Sequence, residues 1–247
     1  MKRQLKKWAL RVTAIAVLII GLLLVIVLNP VLTYANKTTH NNFFIFHTRA
    51  FDPTLTSHLD HANELIKSSE LYNSELKLDI CLNDGSNYTK LIQALRGRAF
   101  AWGFYNKVVL QGTLNSKDNY VELNGYKWNL NQLLAHEMTH CLQFDKLGFW
   151  KSNPVANIPD WKWEGYAEYV SRQSHDLSEN IKRLNNTPKN NWEVNLEDNT
   201  ISPRNYYEYW ILVQYCMDVR KMTYKQLLAD TTTEQTVRQE MMDWFLK

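Results

Sequence analysis

The sequence offers little support for a cysteine-based metal site or a nucleic-acid-binding surface. Its three cysteines are Cys81, Cys141 and Cys216, and none belongs to a CxxC pair, which argues against zinc held by thiolates. An odd number of cysteines leaves two alternatives open, either one disulfide with a leftover thiol or three buried free thiols. The chain has no internal repeat and no stripe of lysine and arginine, so nucleic acid is not an expected partner.

The net charge of +3 comes from the extreme N-terminus. Five basic residues precede the first apolar run, namely Lys2, Arg3, Lys6, Lys7 and Arg11. Without these five the rest of the chain carries about −2, so the folded body is not basic. About 210 residues follow the N-terminal segment, which is enough for one domain with a substantial core.

The first apolar run, Val12–Leu28, is 17 residues long and contains no charged residue. The apolar core of a secretory signal is usually about 7–15 residues long, whereas a membrane-spanning helix needs about 20. This length predicts that residues 1–35 form a basic cytoplasmic stub and a transmembrane signal anchor, followed by one domain at 36–247. The preceding positive charges place the N-terminus in the cytoplasm and the domain outside it. The alternative is a signal peptide cut after Ala35, which would give a secreted protein.

The remaining sequence changes from strand-like to helix-like patterns near Asn129. Strands are predicted at 43–46, 76–82, 99–104 and 107–112, and an early amphipathic helix at 57–72. Helices are then predicted at 130–147, from Pro159 to about Ser174, and at 206–220, 224–229 and 236–246, with a polar surface loop at 182–200. Strands followed by helices indicate an α+β domain.

The segment HEMTH, residues 136–140, lies on the predicted helix 130–147. His136 and His140 are four residues apart, so they project from one face, one turn apart, and both imidazoles can reach one ion. Glu137 projects beside them. HExxH on a helix is a recognised arrangement in which two histidines bind zinc and the glutamate acts as general base. The sequence therefore predicts one Zn²⁺ ion held by His136 and His140.

A second helix carries WKWEGYAEY, residues 161–169. A catalytic zinc keeps three protein ligands and one open position. Glu164 is the predicted third ligand, because a short connection folds this helix back across the first. Glu168 lies one turn further along the same face, where its carboxylate can accept the second N–H of a ligating histidine.

HEMTH and WKWEGYAEY together resemble the gluzincin peptidases, whose pattern is HExxH followed by a glutamate ligand in an EG-x-A segment. The resemblance covers residues 130–215. It implies a mixed sheet lobe, a helical lobe with a zincin-like active-site helix, and an edge strand that binds substrate backbone, for which 99–112 is the candidate. Aminopeptidases of this family carry Gly-x-Met-Glu-Asn, whereas residues 103–106 read GFYN without the glutamate. This difference favours an endopeptidase.

The expected reaction is hydrolysis of peptide bonds outside the cytoplasm. Zinc lowers the pKa of its bound water from 15.7 toward about 7, and Glu137 takes the water's proton and passes it to the leaving amine. In the resembling family a tyrosine at the start of a later helix stabilises the oxyanion. This chain has Tyr206, Tyr207 and Tyr209 at such a position. The family's second tyrosine follows nine residues later, a spacing that Tyr206 and Tyr215 match, so Tyr206 is the predicted donor and Tyr207 the reserve.

Two other interpretations stay open. The chain could be a membrane-anchored interaction domain that binds zinc without catalysis, or a structural protein with a chance motif. The presence of all three ligands together with Glu137 favours the peptidase. The expected partners are a peptide or protein substrate and the membrane, and the sequence defines neither the cleavage specificity nor the oligomeric state.

Overall fold

The computed structural model describes residues 2–173 and 176–247, with side chains from Lys6 onward. His175 and the predicted helix end at Ser174 lie outside the described residues. The helices are α1 Lys2–Leu28, α2 Thr54–Ile66, α3 Asn87–Arg96, α4 Leu130–Leu147, α5 Asp160–Arg172, α6 Leu177–Asn186, α7 Arg204–Gln214, α8 Tyr224–Ala229 and α9 Glu234–Phe245. The strands are β1 Asn36–His40, β2 Phe43–His47, β3 Leu78–Cys81, β4 Ala101–Phe104, β5 Lys107–Leu110, β6 Thr113–Asn115, β7 Tyr120–Leu123, β8 Tyr126–Asn129, β9 Glu193–Asn195 and β10 Ile201–Pro203.

The main sheet has five strands in the order β1-β2-β3-β5-β4. The three central strands β2, β3 and β5 run parallel to one another, while β1 and β4 pair antiparallel with β2 and β5 at the two edges. The sheet is therefore mixed, and the predicted α+β class with a mixed sheet is confirmed. Tyr105 adopts a positive φ of 55° at the turn between β4 and β5, which brings the edge strand back along its neighbour.

Helix α4 runs through the middle of the body. Asn129 caps it, since its side-chain oxygen accepts a hydrogen bond from the backbone N–H of Gln132 at 3.2 Å. Every residue from Leu133 to Phe144 is buried, because α2, α5 and the strands β4, β5 and β8 all pack against this helix. The segment that carries HEMTH is therefore a core helix.

Helix α5 lies against α4 on one side and α7 on the other. Gly165 makes the close approach of α7 possible, because a Cβ at this position would lie 2.6 Å from the carbonyl oxygen of Tyr209 and 2.7 Å from a methyl group of Val213. The predicted helix 206–220 corresponds to α7 and a following π-helical turn, Tyr215–Val219.

The prediction of a polar surface loop at 182–200 is wrong in part. It contains the second half of α6 and strand β9, which pairs with β10. Helix α6 buries Leu177, Ile181 and Leu184, which recur with helical spacing between polar residues. The many asparagines hid this short amphipathic pattern. The sequence pattern also gave no indication of β1 or of the three-stranded sheet β6-β7-β8.

The N-terminal helix α1 includes a 23-residue stretch, Lys6–Leu28, long and apolar enough to cross a membrane, although a signal sequence has the same properties. Its end is fixed to the body. The hydroxyl of Tyr88 on α3 donates to the carbonyl of Val27 at 2.6 Å, and Tyr34 is buried with its hydroxyl donating to the carbonyl of Leu82 at 2.9 Å. The Tyr34 ring also packs against Phe46 and Tyr88, with centroids 5.9 Å away in both cases.

Candidate metal centre

The Nε2 atoms of the two histidines on α4 converge on one point. His136 and His140 are 3% and 5% exposed, and their Nε2 atoms are 3.1 Å apart. Trp163 of α5 stacks on the His140 ring, with centroids 5.6 Å apart and planes inclined by 11°. The imidazoles are thus held with their outer nitrogens toward one point.

Glu164 of α5 completes a triangle of donor atoms. Its Oε2 lies 3.1 Å from the Nε2 of His140 and 3.3 Å from the Nε2 of His136. The helix α5 starts after a connection of 12 residues, 148–159, which folds it back along α4 as the sequence predicted. The carboxylate therefore reaches both imidazoles from the facing helix.

Glu137 adds a second carboxylate from α4. It is buried, and its ligand atom lies with those of His136 and His140 within 4.8 Å of one another, so these three residues form a group that could hold a metal ion. The backbone of Gly103 on β4 lies directly against it, since a Cβ there would be 2.3 Å from the Glu137 carbonyl oxygen and 2.9 Å from its Oε2. The edge strand thus forms a wall beside Glu137.

The donor atoms fit a small divalent cation. In a tetrahedral zinc site with bonds of about 2.0–2.2 Å, neighbouring donor atoms lie roughly 3.3–3.6 Å apart, close to the separations found here. The three separations between His136, His140 and Glu164 are 3.1, 3.1 and 3.3 Å. Two imidazoles with one carboxylate also form a donor set found in catalytic zinc sites. These side chains therefore form a group that could hold a metal ion.

The charges within this cluster are strongly coupled. Burial alone would raise the pKa of Glu164, but the neighbouring His140 and His136 outweigh burial and hold it well below its usual value. Burial would likewise lower the pKa of His136, and the carboxylates of Glu164 and Glu168 reverse this and raise it. Burial raises the pKa of Glu137. The site therefore concentrates negative charge where a cation can compensate it.

A second layer of side chains fixes the histidine orientations. The Nδ1 of His136 lies 3.0 Å from Oε1 of Glu168, which is the place that the sequence assigned to this glutamate. Arg172, one turn further along α5, forms an ion pair through its Nε with the other oxygen of Glu168. Both side chains are almost fully buried, with exposures of 1% and 3%. The sequence analysis missed Arg172, although its position four residues after Glu168 was a usable signal.

His140 is oriented by a different partner. Its Nδ1 lies 2.7 Å from Oε1 of Gln143, whose amide nitrogen donates to the carbonyl of Trp163 at 3.1 Å and to the hydroxyl of Tyr224 at 2.7 Å. Gln143 thus links α4, α5 and α8 to the ring of His140. No sequence pattern pointed to Gln143 or Tyr224, because their contacts join segments far apart in the chain.

The three candidate tyrosines occupy different environments. Tyr206 borders the cleft, with its ring 5.7 Å from that of His136 and 6.0 Å from that of Trp128. The nearby Glu164 carboxylate, together with burial, raises the pKa of Tyr206 well above its usual value, so the hydroxyl keeps its proton. Tyr207 points into the core against Trp210, and Tyr209 contacts Gly165 through its backbone. Neither of these two lines the cleft.

The metal-binding group lies in a cleft of about 590 Å³. One wall is the edge strand β4 with the residues before it, including Arg96 and Arg98, and another is the connection between α4 and α5. Tyr126, Trp128 and Trp192 line the side formed by β8 and the segment before β9. The volume is sufficient for several residues of an extended peptide.

The cysteines and the other described histidines, namely His40, His47, His58 and His61, play no part in this cluster. All three cysteines are buried and free. The Sγ of Cys141 faces the backbone carbonyl of Lys107, away from the histidines, as expected of a core residue. His58 is bonded to the side chain of Asn131 and the carbonyl of Ser116, both at 2.7 Å.

No family model matches the chain, and neither a curated protein nor a solved structure matches it significantly. The function therefore has to be inferred from the site itself.

Proposed function

We propose that this protein is a membrane-anchored, zinc-dependent endopeptidase of the gluzincin type, with α4 as a zincin-like active-site helix. The observation that carries the proposal is the convergence of His136, His140 and Glu164 within 3.3 Å in a cleft that Glu137 and Tyr206 also line. Metal-assisted hydrolysis requires three ligands, a base and a hydrogen-bond donor that face the same space.

Zinc is the proposed metal, with His136, His140 and Glu164 as its ligands. A zinc ion held there would polarise the scissile carbonyl and lower the pKa of a water molecule toward about 7. Glu137 is the proposed general base. Its burial raises its pKa, which suits a group that first accepts a proton and then donates it to the leaving amine.

Tyr206 is the proposed oxyanion donor. It lines the cleft close to the ligand His136 and keeps its proton, so its hydroxyl can donate a hydrogen bond to a developing negative charge. Glu168 and Gln143 act on the ligands from behind by fixing the rings of His136 and His140.

Endopeptidase activity is favoured over aminopeptidase activity by the composition of the β4 wall. The residues 103–106 of this wall have no carboxylate to hold a substrate's amino terminus. β4 is also an edge strand, so its outer backbone groups are available to an extended peptide.

The location of Tyr34 supports an uncleaved anchor. A cut after Ala35 would remove this buried ring and its hydrogen bond to Leu82 from the body. Loss of a buried aromatic side chain typically costs about 3–5 kcal/mol. We therefore infer that α1 stays attached and spans the membrane, with the N-terminus in the cytoplasm and the catalytic body outside it.

The test uses the full chain in detergent. Bound metals are quantified by mass spectrometry, and cleavage is followed with internally quenched peptides that are acetylated and amidated at their ends. We expect about one zinc per chain, cleavage of the blocked peptides, and no cleavage by Glu137→Gln with zinc retained. Glu75→Gln, which changes an exposed glutamate, is the matched control and should behave as wild type.

The alternatives predict other results. Zinc binding without cleavage of any peptide or protein would favour the non-catalytic interaction domain. Absence of any bound metal would refute both. If only peptides with a free amino terminus are cleaved, the protein is an aminopeptidase and the endopeptidase proposal is wrong.

A further inference from the structure

The metal centre is close to the end of the membrane helix. Tyr88, in the first turn of α3, holds the carbonyl of Val27 near the end of α1, and Arg96, the last residue of α3, lines the cleft. These two residues are eight apart on one helix, which is about 12 Å along its axis. The cleft wall therefore lies within a short distance of the end of α1, whatever the tilt of the body.

A continuous buried cluster makes this connection rigid. Val27 packs against a cluster whose buried members are Tyr34, Phe46, Cys81, Tyr88, Ile92, Phe104, Val109, Phe144 and Trp163. Phe144 and Trp163 line the cleft, and Trp163 stacks on the ligand His140. The packing thus runs without a gap from the membrane helix to the metal site.

Exposed apolar side chains lie close in sequence to the end of α1 and to residues that line the cleft. Val31 and Leu32 lie three and four residues after the end of α1, and Leu95 precedes the cleft residue Arg96. The connection between α4 and α5, which forms a cleft wall, exposes Phe149, Trp150 and Val155. Trp150 is 78% exposed, which is unusual for an indole in contact with water alone. We refer to Val31, Leu32, Leu95, Phe149, Trp150 and Val155 as the apolar rim.

We propose that the apolar rim lies in the interface of the bilayer that α1 spans, so that the site cleaves membrane-bound polypeptides in the segment that emerges from that bilayer. The proposal rests on the peptidase function proposed above and names its substrate class. The bilayer is the occupant chosen for the rim because its members Val31 and Leu32 follow the end of α1 by three and four residues, and because α1 is fixed to the body through Tyr88 and Tyr34.

The chemistry of the surrounding residues fits this position. Tryptophan is enriched at the membrane interface because its ring is apolar and its N–H is polar. Arg96 and Arg98 at the cleft mouth form no ion pair with any residue of 2–173 and 176–247, and can face lipid phosphates. The guanidinium of Arg96 is held 4.5 Å above the ring of Trp102.

A membrane-bound substrate would gain from sharing the bilayer with the enzyme, since both are confined to a thin layer and their effective concentration rises. The gain requires that the scissile bond lies at the height of the cleft. Because α1 is fixed to the body, this height cannot adjust freely.

The first test reconstitutes the full chain in vesicles with lipid-tethered quenched peptides. Polyproline spacers of about 5 and 20 residues place the cleavage site about 15 and 60 Å from the lipid. We expect the short-spacer peptide to be cleaved at least about tenfold faster than the long one. A rigid helical insert of about 20 residues between Leu32 and Thr33 should shift the preference to the long spacer.

Soluble blocked peptides in detergent, with Glu137→Gln as control, report the peptidase function separately. If these are cleaved but the rate on tethered peptides does not depend on spacer length, the membrane proposal is overturned while the peptidase remains. If neither soluble nor tethered peptides are cleaved, both the proposed peptidase function and this substrate class are refuted.

The second test measures the position of the rim without relying on activity. Tryptophan fluorescence is recorded in vesicles containing lipids brominated near the headgroup. We expect Trp150→Phe to remove a larger share of the quenched fluorescence than Trp192→Phe, which changes the exposed indole beside Tyr126. Equal quenching in wild type and Trp150→Phe would show that the rim does not touch the bilayer, and would overturn the proposal.

Discussion

Replacement of Arg172 by methionine should weaken both the fold and the metal site. Methionine keeps much of the apolar length of arginine but removes the guanidinium that pairs with Glu168. Glu168 would then hold a negative charge in a site where its side chain is 1% exposed, and among the described residues the His136 imidazole, 3.0 Å away, would remain as its side-chain partner. The substitution leaves every proposed metal ligand in place, so it isolates the contribution of the layer behind them.

The expected magnitude follows from the burial of both partners. Breaking a buried ion pair by removing one member typically costs about 3–5 kcal/mol. For a body of about 210 residues, each kcal/mol lowers the melting temperature by roughly 2–4 °C, so Arg172→Met should lower it by roughly 6–20 °C. Loss of an outer partner of a ligating histidine typically reduces metal affinity about 10–100-fold. Both effects should appear in the same variant.

Thermal unfolding followed by circular dichroism and zinc competition with a chelating dye provide the two readouts. Arg183→Met is the matched control, because Arg183 pairs with Glu197, which is 86% exposed, and such surface pairs contribute about 0–1 kcal/mol. In a double-mutant cycle, Arg172→Met combined with Glu168→Gln should lose less stability than the two single changes added together, by about 0.5–3 kcal/mol. Strict additivity would refute the reasoning, because it would mean that the two side chains do not interact.

Three further outcomes are expected. Gly103→Ala should lower the free energy of unfolding by about 1–3 kcal/mol and reduce cleavage by the folded protein, because the new Cβ would displace the backbone and carboxylate of Glu137. Unchanged activity would contradict the close packing of Gly103 against Glu137. For Asp198, burial raises the pKa, but hydrogen bonds from Thr200 and Asn129 outweigh it and lower the pKa below 3.8. This carboxylate therefore stabilises the fold above pH 3.8 and loses its effect as the pH falls, so Asp198→Asn should reduce stability in urea more at pH 7 than at pH 3. Finally, because the three cysteines are buried and free, a thiol reagent should react with none in the native protein and with three after denaturation.

The parts of the molecule that could be predicted from sequence share one property, a local pattern. HEMTH could be found because its two histidines lie four residues apart, which is about one helical turn. The observed helix Leu130–Leu147 has the predicted limits. Strands β3, β4 and β5 were found from runs of apolar residues bounded by turn residues. The apolar N-terminal helix was found from its length.

The parts that were missed depend on contacts between distant segments. Gln143 joins α4 to Tyr224, 81 residues further along the chain, and no local signal marks such a pair. The close approach of Gly165 on α5 to Tyr209 and Val213 on α7 likewise joins segments far apart in the chain. The short strands of β6-β7-β8 have three or four residues each, too few for an alternating pattern to be distinguished from chance.

The complete burial of α4 between Leu133 and Phe144 links the proposed metal site to the stability of the whole body. A buried segment in the middle of a helix cannot open by local fraying, so its amide protons should exchange with solvent only when the whole body unfolds. The proposed ligands His136 and His140 would then be released from the buried segment only by global unfolding. A metal that binds the native state alone would raise the free energy of unfolding by mass action. Chelation should therefore lower the melting temperature of the whole body and speed exchange throughout α4, and any opening that admits a substrate must come from the other walls of the cleft.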